Sequence, residues 1–185
     1  MPHIDIHDLH NRSSLRAEAK RARKIVKTCT INRSREDLFR FWRDLENLPR
    51  FTKHLLSVRK INDQESHWIV KSPGGTTSEW DAVITNEHEN HLIAWESVKG
   101  SEIDNAGAVR FEPAPGGQGT EVRVTLAYIP PVGKLGAMVA RLYGEEPDIQ
   151  VEEDLARFKA LMETGEVPTT EAQPAGGNKG KRRTE

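Results

Sequence analysis

The chain holds a single cysteine, Cys29, so no internal disulfide can brace its fold, and a reducing compartment is the natural setting. Cys29 stands inside an apolar strand pattern, where a buried inert thiol is the common state. No apolar run approaches the roughly 18 residues that a membrane span needs, and the first residues lack the apolar region of a secretion signal. The expectation is a soluble, cytoplasmic protein with no stable membrane insertion. Neither charge sign prevails: 27 Lys and Arg stand against 28 Asp and Glu, a formal net charge of -1. Such a balance creates no global field for nucleic acid or an anionic surface. Also missing are HExxH, CxxC, GxSxG and any glycine-rich phosphate loop after a strand. Pro73-Gly74-Gly75 and Gly116-Gly117 read as turns, because no helix start follows either. No cofactor is expected.

What the chain does contain is a strong switch of period. In Thr120–Ile129, Val122, Val124, Leu126 and Tyr128 alternate with Glu121, Arg123, Thr125 and Ala127, as in a strand with one buried face. After Pro130-Pro131 the apolar spacing becomes three and four: Val132, Leu135, Val139 and Leu142, then Val151, Leu155, Phe158 and Met162. A straight helix continuing the first stripe would need apolar residues where Glu146 and Glu153 stand, and Gly144 and Pro147 lie in the gap. The spacing therefore predicts a break or sharp kink between Tyr143 and Asp148.

Upstream, Lys24–Ile31 is a β-branched strand. Ser34 is a helix N-cap with Asp37 three residues on, and Leu38, Phe39, Phe41, Trp42 and Leu45 give the helix an apolar face through Leu48. Pro49 predicts a short second turn. From His54 onward only strand patterns occur: Leu56–Asn62, Ser66–Ser72, Thr77–Glu87, Leu92–Val98 and Gly107–Glu112, joined by connections of hairpin length, Gly100–Asn105 among them. With the first and last strands that makes seven.

The two ends differ. His3, His7 and His10 share one helical face, but ligands at a terminus lack the surrounding groups that orient a metal site, so none is assigned. Residues 12–27 carry Arg12, Arg16, Lys20, Arg21, Arg23, Lys24 and Lys27 against Glu18. Without an aromatic residue to stack a base, specific nucleic-acid binding is not expected there. Beyond Glu166 the only large apolar residue is Val167, which predicts disorder. The division is a basic arm at 1–23, one domain at 24–166 and a tail at 167–185.

Strand, helix pair, six meandering strands and a long terminal helix form a recognisable order. The segments Phe41–Phe51, Trp80, Ile93–Ser97, Gly107–Phe111, Gly119–Val122, Tyr128–Pro131 and Glu153–Glu166 resemble the START/Bet v 1-like (SRPBCC) superfamily, specifically its bacterial polyketide cyclase/dehydrase-type branch. The resemblance implies an α+β helix-grip fold: a seven-stranded curved antiparallel sheet wrapped around a long C-terminal helix. It also implies a pocket between sheet and helix for a lipid, quinone or polyketide-like molecule. A polyketide aromatase/cyclase-like enzyme is the alternative, and a ribosome- or protein-associated module a second one.

If Trp80, Trp95, Phe111 and Leu126 point inward, alternation sends Ser78, Ala82, Ile84, Ile93, Ser97, Val109, Val122, Val124 and Tyr128 inward too. Glu79, Asp81, Glu96, Arg110, Glu121 and Arg123 then face out. The expected ligand-binding set is Trp68, Trp80, Ile84, Ile93, Trp95, Ser97, Val109, Phe111, Val124, Leu126, Tyr128, Leu135, Val139, Leu155 and Phe158. It suits a hydrophobic molecule and is poor in acids and bases. An enzyme on this pocket would rest on Tyr128 as acid, helped by Arg43 or Arg141.

Overall fold

The structure, a computed structural model, describes residues 23–71, 75–101, 103–128 and 147–167. Seven antiparallel strands form one curved sheet: β1 (Arg23–Ile31), β2 (Leu55–Lys60), β3 (Glu65–Lys71), β4 (Thr77–His88), β5 (Leu92–Ser97), β6 (Asn105–Pro113) and β7 (Thr120–Tyr128). Their order across the sheet is β1-β7-β6-β5-β4-β3-β2, so the first strand pairs with the last and β1 and β2 form the two edges. Helix α1 (Arg35–Arg43) and a 3-10 turn (Leu45–Arg50) connect those edges, and helix α2 (Pro147–Thr164) closes the chain. This is the helix-grip architecture that the sequence implies.

The elements form for local reasons. Ser34 caps α1, its Oγ accepting from the Asp37 N–H at 3.1 Å, and Glu36 and Asp37 lie at the positive end of the helix dipole while Arg40 and Arg43 lie at the other. The helix ends at Arg43, earlier than the expected Leu48. Asp44 leaves the helical region at φ -77°, ψ 86°, and the chain re-forms as the 3-10 turn that contains Pro49. Proline disfavours the α conformation in the residue before it, which limits how much regular helix can follow α1. The expected break between Tyr143 and Asp148 falls largely outside the described residues; α2 opens at Pro147. Its far end is closed by Gly165, whose φ of +83° suits the left-handed cap and whose N–H donates to the Leu161 carbonyl at 2.8 Å.

The inner and outer faces of the sheet follow the alternation of the sequence. Ser78, Ala82, Ile93, Val109, Val122 and Val124 are buried, whereas Glu79, Asp81, Glu96, Arg110 and Arg123 are exposed. A bulge in β4 changes the phase once. Ile84 pairs with Trp95 but Asn86 with Ala94, so beyond the bulge Glu87 lies opposite Ile93 on the inner face. There the carboxylate of Glu87 accepts from Arg43 Nε at 2.9 and 3.0 Å, tying α1 to the sheet.

α2 covers the concave face with Val151, Leu155, Phe158 and Leu161, all buried. Phe158 is the centre of an aromatic cluster, 4.8 Å from Phe51, 5.0 Å from Trp42 and 5.8 Å from Phe41 between ring centroids. The C-terminal turn is fixed to the end of β1: Arg33 donates to the carbonyls of Met162 and Glu163, and the Asn32 N–H donates to Glu163 Oε1 at 2.8 Å.

Candidate functional site

The concave face has two halves. Beneath α1, Phe39 lies 5.9 Å and Trp42 6.3 Å from Phe111, edge to face, and Ile93, Val109, Phe111 and Phe158 are fully buried around them. Toward the other end of the strands, from Trp68 on β3 across to Asn105 on β6 and Leu126 on β7, the described helices leave a gap. Trp68 stacks with Trp80 at 5.7 Å and 25° and with Trp95 at 6.3 Å and 19°. These rings, with Val124, Leu126, Trp42 and the Val151 and Leu155 face of α2, line a cavity of about 110 Å³.

The expected binding residues therefore divide. Trp68, Trp80, Trp95, Val124, Leu126 and Leu155 line the cavity. Ile93, Val109, Phe111 and Phe158 lie instead in the packed half, because α1 fills the sheet there and strand parity is silent about how far along a strand the filling extends. Ile84 borders a separate, more polar groove of about 490 Å³ between α1 and the strand ends, lined also by Arg43, Glu46 and Asp63. Ser97 turns its Oγ to accept the Asn105 N–H at 3.1 Å and is not part of the cavity wall. The side chain of Tyr128, and Leu135 and Val139 altogether, lie outside the described residues.

The cavity also contains polar residues that strand alternation did not anticipate: Thr52, His54, Asn105, Gln150 and Asp154. Three of them, His54, Gln150 and Asp154, form a chain at the α2 side. His54 Nε2 and Gln150 Oε1 are 2.7 Å apart, Gln150 Nε2 donates to Asp154 Oδ1 at 3.2 Å, and the same oxygen accepts the Lys53 N–H and an Arg157 N–H. Arg157 Nε also donates to the Phe51 carbonyl at 2.9 Å, and Thr52 Oγ1 donates to the Leu48 carbonyl. With its amide nitrogen committed to Asp154, Gln150 presents only an acceptor to His54. The imidazole must then carry its proton on Nε2, leaving Nδ1 as the basic nitrogen. Burial holds the Asp154 carboxyl above the ordinary carboxylate range despite the Arg157, Lys53 and Gln150 donors, which act in the opposite sense.

Three other groups are notable for what they lack. Trp42 Nε1, Trp80 Nε1 and Asn105 Nδ2 are buried donors with no hydrogen-bond partner, and each belongs to a residue of the cavity wall. By contrast Trp68 Nε1 donates to Ser66 Oγ at 2.8 Å. Asn105 had read as part of a connection and is the first residue of β6; no local signal distinguishes it from its neighbours. The i, i+4 pair Gln150 and Asp154, one position before Val151 and Leu155, was a signal in the sequence.

Cys29 is half-buried on the inner face of β1, away from this cavity. Desolvation raises its thiol pKa, with nearby Lys159 opposing, as expected for an unreactive thiol. Among the described residues no His, Cys, Asp and Glu cluster could hold a metal, and no helix is long and apolar enough to cross a membrane.

A curved sheet gripping a helix, with an apolar, tryptophan-lined cavity between them, defines a helix-grip protein of the polyketide cyclase type. Residues 31–156 match the family described as polyketide cyclase/dehydrase and lipid transport, and the chain belongs to that family. A crystallised protein of Deinococcus radiodurans is 38% identical, with a TM-score of 0.64 over 77% of this chain and 99% of the other. An uncharacterized 17.2 kDa protein of Streptomyces lincolnensis is 29% identical over 127 residues, 66% of this chain and 77% of its own. The di-domain aromatase/cyclase StfQ of the steffimycin pathway shares the fold alone, at 12% identity and a TM-score of 0.58 over 86% of this chain and 61% of StfQ.

Proposed function

We propose that the protein binds a small hydrophobic molecule in the cavity between the β3–β5 tryptophans and α2. The carrying observation is the contrast within one concave face: one end is packed by α1, and among the described residues the other end is left open although five aromatic and several aliphatic side chains line it. Cavities lost to packing cost stability, so a retained apolar one beside a well-packed core has the character of a site. Family membership supports the same reading.

Titration with the neutral dye Nile red tests this directly. It should saturate at one dye per chain in the micromolar range and quench or shift tryptophan emission, and native mass spectrometry of freshly purified protein should show a co-purifying apolar molecule. Absence of binding by any apolar probe at micromolar concentration would overturn the proposal.

A second reading, a cyclase or dehydrase reaction on the same cavity, is favoured by the oriented His54. A basic Nδ1 whose partner nitrogen is held by Gln150, itself anchored on Asp154, is equipped to accept a proton from an acidic C–H or O–H of a bound ketone. Under this reading His54→Ala lowers turnover by about 10²- to 10⁴-fold with little change in binding. Under the carrier reading the same variant changes only affinity.

A further inference from the structure

The convex face of the sheet, opposite the cavity, carries charge in rows of one sign. On β6 and β7 the outward residues come into register so that Arg110 lies directly opposite Arg123, and Glu112 directly opposite Glu121. Arg110, Glu112 and Arg123 are exposed, and Glu121 is half-buried beside the Arg123 guanidinium that donates to it at 3.0 Å. Like charges directly opposite one another on a sheet face destabilise the pairing, whereas opposite charges there would support it. The Arg123–Glu121 contact joins the two rows along one strand and leaves each row of a single sign. On the far side of the arginine row the surface is neutral and low. Ala94, Ala108 and Thr125 lie in register there, with Val26, 44% exposed, at the end of the row.

A positive row beside a negative row is self-complementary. A second copy turned face to face about a two-fold axis that runs between the rows, across the strands, sets each arginine row against the other copy's glutamate row. Arg110 then faces the partner's Glu112 and Arg123 faces the partner's Glu121, and the reverse. The same rotation lays the turn at the end of β6 of one copy, Pro115–Gly117, over the row of small side chains of the other, which leave room for it. We propose that the convex face is the interface of a symmetric dimer of this chain, held by these reciprocal Arg–Glu pairs. The proposal is independent of what the cavity binds. Over the rows concerned, β1, β7, β6 and β5 present roughly 500 Å², at about 4.8 Å between strands and 3.4 Å rise per residue. That is below the roughly 800 Å² a side of a standard interface, so the dimer is weak, with a Kd of about tens of micromolar or more.

Sedimentation velocity tests this on the full chain. From about 5 to 500 µM in low salt it should show a monomer–dimer equilibrium, and about 1 M NaCl, which cuts the screening length to about 3 Å, should weaken association tenfold or more. Arg110→Glu with Arg123→Glu makes both rows acidic, and Glu112→Arg with Glu121→Arg makes both basic. Each double variant alone should sediment as a monomer, and an equimolar mixture of the two should form a heterodimer at least as tight as the parent dimer. Circular dichroism checks folding, and if a double variant does not fold, the single exposed changes Arg110→Glu and Glu112→Arg are compared and mixed in the same way. A parent that stays monomeric at the highest concentration in low salt overturns the proposal and leaves the rows to a different partner. A dimer that survives both charge reversals lies on another face and overturns it too, as does a mixture that forms no heterodimer.

Discussion

Single residues decide how much of the concave face stays open. Gly107 is the clearest case, and its role is one of space rather than backbone freedom. A Cβ built there would lie 2.3 Å from Trp95 Cζ2 and 2.6 Å from Cε2, so the indole of Trp95 rests directly over the bare backbone of β6. Gly107→Ala should push that ring off the sheet and into the cavity beside Trp68. The expected result is a loss of Nile red binding of tenfold or more, with a destabilisation of about 1–3 kcal/mol from overpacking. Unchanged binding in that variant would show that Trp95 does not bound the site. Family resemblance had pointed to Gly107–Phe111 as a segment, and only the coordinates show that the glycine is the seat of a tryptophan.

At the scale of elements, α2 carries two carboxylates whose pKa values move in opposite directions. The N–H of Asn32 holds Glu163 below the ordinary carboxylate range, with Lys159 assisting. A folded pKa below the unfolded one means that the contribution is present above the unfolded value and lost as pH falls through the folded one. Asp154 is raised by burial, so its contribution is complete below the unfolded value and lost as pH rises through the folded one. Urea denaturation across about pH 3 to 7 should therefore show Glu163→Gln weaker than the parent at neutral pH and converging with it in acid. Asp154→Asn should show stability rising more steeply than the parent's as pH climbs above about 4, because a residue that resists ionisation has been removed. Parallel curves for parent and both variants would refute the assignment. The strands and their faces were legible in the sequence because alternation is set by backbone geometry, and the β4 bulge that turns Glu87 toward Arg43 was not, since it depends on how β4 and β5 pair.

For the whole molecule, the two halves of the concave face should respond differently to substitution. Phe158 is fully buried among Phe41, Trp42 and Phe51, so Phe158→Ala should cost about 3–5 kcal/mol in urea unfolding. Trp80→Phe, on the open side and relieved of an unpartnered N–H, should cost about 1.5 kcal/mol or less. Comparable losses at the two sites would mean that the tryptophan-lined half is packed as tightly as the other. The sequence by itself determined the seven strands, the inward and outward faces, the capped α1 and the amphipathic α2, because periods of 2 and 3.6 and capping chemistry are local properties of the chain. It also determined that the inward face is apolar and rich in tryptophan. Only the tertiary structure decided which part of that face is packed and which is hollow, since that depends on where α1 and α2 come to rest against the sheet. The same placement brought His54, Gln150 and Asp154 to one wall and left Trp42, Trp80 and Asn105 with unanswered donors. Parity fixes the direction of a side chain, but the partner it meets is set by elements distant in the chain, and no local pattern encodes that distance.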